Sequence, residues 1–201
     1  MDIFEAIRQR RSVKHYDSGH AMSAGEIDQL MSAVILSPTS FNMQNWRFVL
    51  VQDKQLREEI RKASWNQAQV TDASLLIILC ADKNAWKDSH RYWSSAPEHV
   101  RDYLVRETEK FYQSDLQMQH DETMRSCGIA AQTLMLAAKS MGYDSCPMVG
   151  FDFKKVAELI HLPKDYVITM FVVVGKGIKL AHERGRQLSM KEVIIYDHFK
   201  K

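Results

Sequence analysis

The sequence predicts helices covering both faces of a sheet within one domain. Leu75 to Ala81 is apolar at every position and Val167 to Val174 at nearly every one, the pattern of strands buried on both faces. Around them lie segments with apolar residues at helical spacing and polar caps at their starts. A chain of 201 residues is long enough to bury most of its apolar surface in a single core.

The elements follow in order. Asp2 caps a helix in which Ile3, Phe4 and Ile7 fall at helical spacing beside Ala6, and which ends near Arg10. Ser23 and Glu26 form a capping box before a second helix with an apolar face of Ile27, Leu30, Met31, Val34 and Ile35, stopping before Pro38. The loop Ser37 to Trp46 is rich in hydroxyls and amides and leads into a strand from Arg47 to Gln52. Asp53 caps a third helix holding Leu56 and Ile60, and Trp65-Asn66-Gln67 opens a polar segment before the Leu75–Ala81 strand.

Residues 84–120 are charged and aromatic, with weak helical periodicity in Val100, Tyr103, Leu104 and Phe111. They read as a helical excursion over the core or a neighbour that helps shape a substrate pocket. Asp121 opens the longest helix, to about Met141, with Met124, Cys127, Ala131, Leu134, Met135 and Ala138 inward and Gly142 as its C-cap. Its small-residue stripe suits plain core and a subunit interface equally. Cys146 to Asp152 reads as a loop between helices, with Asp152 capping a helix holding Val156, Ala157 and Ile160. The last apolar run, Val193 to Tyr196, reads as a strand that needs a sheet edge, its own or a partner's.

Composition narrows the function. A net charge of +2 gives no reason to expect nucleic acid as the main partner. The longest apolar run is far short of a membrane span, and no secretory signal pattern follows the N-terminal basic cluster. Three cysteines without CxxC spacing argue against a disulfide framework, and eight histidines without HExxH or HxH spacing argue against a metal site. The expectation is a cytoplasmic protein.

The chemistry-bearing stretch is Arg8-Gln9-Arg10-Arg11-Ser12-Val13-Lys14. Two guanidiniums and a hydroxyl delivered into a turn at a helix end can clamp phosphate oxygens, because the planar fork matches them in bidentate geometry. The same residues would also suit a solvated basic helix end. Arg184-Gly185-Arg186 offers a second pair of guanidiniums far along the chain.

Taken together, the order helix, R-R-S-V-K, S-P-T-S-x-N-x-Q-x-W, a long helix, P-M-V-G-F-D, a buried strand and R-G-R resembles the FMN-dependent nitroreductase family across essentially the whole chain. The match is weakest between residues 84 and 120. The resemblance implies an α+β sandwich with a central mixed sheet, in an intertwined homodimer whose C-terminal segments (residues 187–201) are exchanged. It implies FMN held at the phosphate end by Arg10, Arg11, Ser12, Arg184 and Arg186. Lys14 would approach the N1–O2 edge as electrostatic support, and Asn66 and Gln69 the pyrimidine edge. The backbone of Val149 and Gly150 would face N5–O4, and Pro38, Thr39, Ser40 and Asn42 would arrive from the other subunit. The best-known branch has glutamate at the position of Val149 and proline at that of Asn45, a departure that bears on substrate preference.

The implied activity is hydride transfer from NADH or NADPH, through flavin N5, to nitroaromatic or quinone acceptors in ping-pong order. No side-chain acid, base, nucleophile or metal is required. The alternative is an FMN-binding carrier or redox sensor with little turnover.

Overall fold

A computed structural model describes residues 1–199; the last two residues of the expected C-terminal extension lie outside it. The sheet has four strands: β1 (Trp46–Leu50), β2 (Leu75–Asp82), β3 (Asp144–Met148) and β4 (Tyr166–Gly175). Their spatial order is β1-β2-β4-β3. Every pair of named strands is antiparallel, so the expected mixed sheet is corrected to an antiparallel one. The parallel element among the described residues is an isolated bridge between Ser12 and Ser145.

The two long strands are apolar on both faces because both faces are covered. Leu75, Ile77, Leu79 and Ala81 of β2, with Val172 and Val174 of β4, pack with Leu30, Val34, Ala131 and Leu134. These last come from α2 (Ala24–Val34) and α7 (Leu116–Ser140). The alternate residues Leu76, Ile78 and Cys80, with Phe171 and Val173, pack with Ile60 and Val156. These belong to α3 (Lys54–Ala63) and α8 (Phe153–Leu159). Each fully buried leucine or isoleucine contributes about 1.5–3 kcal/mol, so this two-sided burial dominates the fold's stabilisation.

Four helix starts are where local chemistry predicted them. Asp2 caps α1 (Ile3–Gln9), Ser23 and Glu26 form the capping box of α2, and Asp53 and Asp152 cap α3 and α8. In α2 the box is reinforced by the Tyr143 hydroxyl, which donates to Glu26 Oε1 at 2.6 Å.

Four expectations change. Cys146 and its neighbours form β3 rather than a loop: Pro147, lacking a donor, obscures a strand, and it is tolerated because β3 lies at the sheet edge. The longest helix begins at Leu116, not Asp121, because Asp115 accepts from the Met118 amide and buried Gln119 donates to the Tyr112 carbonyl at 2.7 Å. That opening turn is polar, so apolar periodicity misses it. Met124 is exposed rather than inward. Val193–Tyr196 is not a strand in this chain: Met190–Val193 is a helical turn (α9) with its own Ser189–Glu192 capping box, and no ladder forms beyond it among the described residues.

The excursion at residues 84–120 holds a 3₁₀ turn (Ala85–Asp88), α5 (Ser89–Tyr92) and α6 (Glu98–Tyr112). It gathers Ala85, Tyr112, Trp86 and Tyr92 around Phe41 and Met43 of the loop before β1. The short α4 (Gln69–Asp72) leads into β2. No helix among the described residues is long and apolar enough to cross a membrane.

Gly175 ends β4 where a Cβ would stand 2.9 Å from the Ser74 backbone nitrogen and 3.0 Å from the Tyr16 ring. Gly175→Ala should therefore destabilise the protein by about 1–3 kcal/mol in a denaturant titration. Gly25→Ala, on open surface within α2, should be neutral or stabilising by up to about 1 kcal/mol.

Candidate functional site

The cationic stretch leaves α1 and lies against β3. Arg10 carries the chain out of the helix in a non-helical conformation, and the Val13 amide donates to the Ser145 carbonyl at 3.1 Å. Val13 is buried beneath this contact, while Ser12 and Lys14 remain exposed. Further along, Tyr16 bridges Gly177 and the Asp17 amide donates to the Lys176 carbonyl.

Two distant segments exchange guanidiniums at this point. Arg184 Nη2 donates to the carbonyls of Arg8 and Arg10, each at 3.2 Å, satisfying acceptors at the C-terminal end of α1. In return Arg11 Nη2 donates to the His182 carbonyl. Burial, then the neighbouring Arg184 and Arg11, push the Arg10 pKa below its ordinary value. Among the described residues no carboxylate pairs with Arg10, Arg11 or Arg184. Like charges gathered without a counter-charge make an anion site, and Ser12 adds a hydroxyl. Arg186 is exposed two residues beyond, with no hydrogen bond of its own among the described residues.

A second cluster of polar groups is built by two loops. The α3 helix ends with Trp65 and Asn66 both at positive φ (52° and 57°), which reverses the chain. Arg61 fixes that reversal, donating to Asn66 Oδ1 at 3.0 Å and to Thr71 Oγ1 at 2.8 Å. Arg57 donates to the Val70 and Ala73 carbonyls, anchoring α4. The returning chain brings Gln67 Nε2 to the Gly150 carbonyl at 2.8 Å, and buried Gln69 donates to Gln67 Oε1 at 3.0 Å. The Asp152 amide donates to the Ala63 carbonyl at 2.8 Å, tying the loop after β3 to the same helix end.

Register relates the two clusters. Ser12 stands beside Ser145, and Val149 lies four residues further along, about 13 Å at strand spacing. Beyond Lys14, the His15 carbonyl accepts from the Ile178 amide and Tyr16 bridges Gly177. The arrangement suits an elongated ligand with an anionic head at Arg10–Ser12 and a polar ring edge at Asn66, Gln69 and the Val149–Gly150 backbone.

Pro38, Thr39, Ser40 and Asn42 are not brought to these two clusters within the chain. They precede β1, three strand spacings (about 14 Å) across the sheet from β3. Ser40 is pinned there, its amide donating to buried Glu122 and its hydroxyl accepting from Tyr112 at 2.8 Å. Glu122 in turn accepts from Ser126 at 2.8 Å and pairs with Arg125.

Sequence reasoning missed Gln67, Trp65 and the Glu122–Tyr112 anchor. The consecutive left-handed residues had no glycine to mark them, and Glu122 lay where the long helix was thought to begin. Among the described residues no group of three or more His, Cys, Asp or Glu side chains is placed to hold a metal.

A model of the nitroreductase family matches residues 7–176. The chain belongs to that family. Among its relatives, protein DrgA of Synechocystis is 58% identical over 190 residues, covering 94% of this chain and 90% of that protein. An oxygen-insensitive NADPH nitroreductase of Helicobacter pylori J99 is 30% identical over 197 residues, covering 91% of each. A solved nitroreductase structure from Exiguobacterium sibiricum, in complex with FMN, superposes with a TM-score of 0.90 at 28% identity, covering 98% of this chain and 97% of that one. The nitroreductase α+β fold is therefore shared along nearly the whole chain.

All three thiols are free and buried. Burial raises the pKa of Cys80 to about 12 and of Cys127 to about 11, and raises that of Cys146 against the opposing pull of Lys14 and Arg10. All three should resist a disulfide thiol reagent at pH 8 in the folded protein and react once it is denatured. Rapid reaction of any one in the folded state would show an accessible thiolate.

Proposed function

We propose that this chain is an FMN-dependent oxidoreductase that passes reducing equivalents from NADH or NADPH to nitroaromatic or quinone acceptors. The observation that carries this reading is the gathering of Arg10, Arg11 and Arg184 with no paired carboxylate among the described residues. The named activity of the Helicobacter pylori relative and the FMN complex of the Exiguobacterium sibiricum neighbour support it. The donor set fits the cofactor: guanidiniums and the Ser12 hydroxyl for phosphate, amides and backbone for the flavin edge.

When bound, FMN would supply a centre that accepts hydride and gives it up again. The chain's own residues bind and orient. Arg10, Arg11, Ser12, Arg184 and Arg186 hold the phosphate, and Lys14 stabilises negative charge near N1–O2. Asn66, Gln69 and the Val149–Gly150 backbone fix the ring edge. Donor and acceptor use one face in turn, which gives ping-pong kinetics. Anaerobic NADH or NADPH should bleach the flavinated protein rapidly, and a quinone should restore the colour. Flavin that binds but is not bleached would make the chain a carrier or sensor instead.

The reading includes a homodimer built from single-domain subunits. Every described residue from His182 onward is exposed, as are Ile3, Phe4 and Ile7 of α1. The outer edge of β3 is partly taken by the Ser12 segment, whereas β1 carries no outer neighbour among the described residues. An arm crossing to the partner's β1 edge would cover both, and a partner's Pro38, Thr39, Ser40 and Asn42 would complete the cofactor groove.

Arg10→Ala should weaken FMN binding at least about tenfold, since a charge-assisted contact contributes roughly 1.5–3 kcal/mol. Lys14→Ala should act differently, lowering the bound flavin's reduction potential more than its occupancy. Fluorescence titration and a redox titration on the same preparations separate the two roles.

Deleting residues from Met190 onward should loosen the dimer and lower flavin content together, because obligate interfaces of this kind bury roughly 2,000–5,000 Å². Sedimentation with flavin content measured on the same sample decides it. A truncated chain that stays a fully flavinated dimer contradicts the exchange.

A further inference from the structure

The loop from Thr39 to Gln44 is held in a shape it would not take alone. Phe41, Asn42 and Gln44 stand at positive φ (49°, 52° and 44°), in the left-handed region that residues with side chains seldom enter. The loop contains no glycine to ease this. Such a conformation persists only where its surroundings over-determine it. Within the loop the Gln44 amide donates to Thr39 Oγ1 at 2.9 Å, and from β1 Arg47 donates to the Gln44 carbonyl at 2.9 Å. Further restraint comes from α6 and α7.

Glu122 of α7 is 5% exposed. A buried carboxylate is costly unless it is paired and hydrogen-bonded, and here its partners are specific. Oε1 accepts from the Ser40 amide at 3.3 Å and from Ser126 at 2.8 Å, while Oε2 pairs with exposed Arg125. From α6, Tyr112 donates to Ser40 Oγ at 2.8 Å and meets the Phe41 ring edge-on, with centroids 6.2 Å apart. Tyr112 is held in turn from α7, where Gln119 donates to its carbonyl. Ser40 is thus gripped at amide and hydroxyl by two buried side chains. Neither of them belongs to the two layers that cover the sheet: Tyr112 packs in the small separate cluster with Met43 and Ala85.

We propose that Glu122 and Tyr112 are positioning residues that act across the dimer: by fixing the Thr39–Gln44 loop of one subunit they shape the cofactor site of the other. The proposal rests on the flavin and dimer reading above and adds to it the residues that preset the loop. In its own chain the loop lies about 14 Å across the sheet from β3, so its shape bears on a flavin held by Arg10 only through the partner. Neither residue touches the cofactor; both act through Ser40. A loop released from them spreads over other conformations. Binding must then select the competent one, which weakens affinity without removing a cofactor contact.

The test measures FMN affinity by fluorescence titration in homodimers and in mixed dimers, the latter made by co-expressing two differently tagged chains. Glu122→Ala homodimers should bind FMN about five- to tenfold more weakly than the parent. Glu122→Gln should recover most of this, since its side-chain oxygen can still accept from Ser40 and Ser126. Tyr112→Phe, which removes one hydroxyl and keeps the ring, should weaken binding about threefold. In a mixed dimer of Glu122→Ala with Arg10→Ala, one site joins an intact Arg10 to an intact loop, and the other has neither. One FMN per mixed dimer should therefore bind with the parent's affinity, although each homodimer is weakened at both its sites. A mixed dimer with no parental site overturns the proposal, because the effect then lies within one subunit. Parental affinity in Glu122→Ala or Tyr112→Phe homodimers overturns it as well. Should Glu122→Ala fail to fold, Tyr112→Phe mixed with Arg10→Ala decides by the same count. A parent that takes up no FMN, or that sediments as a monomer, overturns the flavin or dimer reading instead.

Discussion

The site depends on the crowding of Arg10, Arg11 and Arg184 at the C-terminal end of α1. Each guanidinium is held by backbone carbonyls or by burial, and among the described residues none meets a carboxylate. Like charges so placed repel one another, and a bound phosphate turns that repulsion into attraction. The reciprocal clasp between residues 8–11 and 182–184 also means that the anion site and the start of the C-terminal arm are one structure. A cofactor phosphate would then favour both flavin retention and the arm's departure point.

The rest of the fold positions that cluster relative to the loop from Trp65 to Gln69. Two-sided burial of β2 and β4 fixes the sheet, and β3 joins it through β4. The stretch from Ser12 to Lys14 takes its place from β3 through the Ser145 contact. Val149 and Gly150 directly follow the last residue of that strand, Met148, so one edge strand sets the distance between Ser12 and the Val149–Gly150 backbone. The loop from Trp65 to Gln69 is then fastened to Gly150 by a single side-chain amide. That economy makes Gly150 and Gln67 sensitive positions even though neither carries charge.

Much of this was legible in the sequence. Caps at Asp2, Ser23, Asp53 and Asp152 were readable because capping is local chemistry, and the buried strands because their composition admits no exposed face. What was hidden had non-local causes. Pro147 masked β3, since edge-strand tolerance depends on a topology that sequence does not display. The polar turn from Leu116 to His120 belongs to a helix only because Gln119 reaches Tyr112. Trp65 and Asn66 adopt left-handed conformations without a glycine, held by Arg61 from the preceding helix. Val193 to Tyr196 has strand composition but no strand partner among the described residues, and the helical turn before it follows the local capping box.

The central claim is that the guanidinium cluster is a phosphate site. Its most direct measurement compares dissociation constants of FMN and riboflavin for the flavin-free protein by fluorescence titration under one buffer. Riboflavin keeps the ring and lacks the phosphate. With at least two charge-assisted contacts of roughly 1.5–3 kcal/mol each, FMN should bind at least about a hundredfold more tightly. Equal affinities would contradict the account and leave the three arginines to a purely structural role.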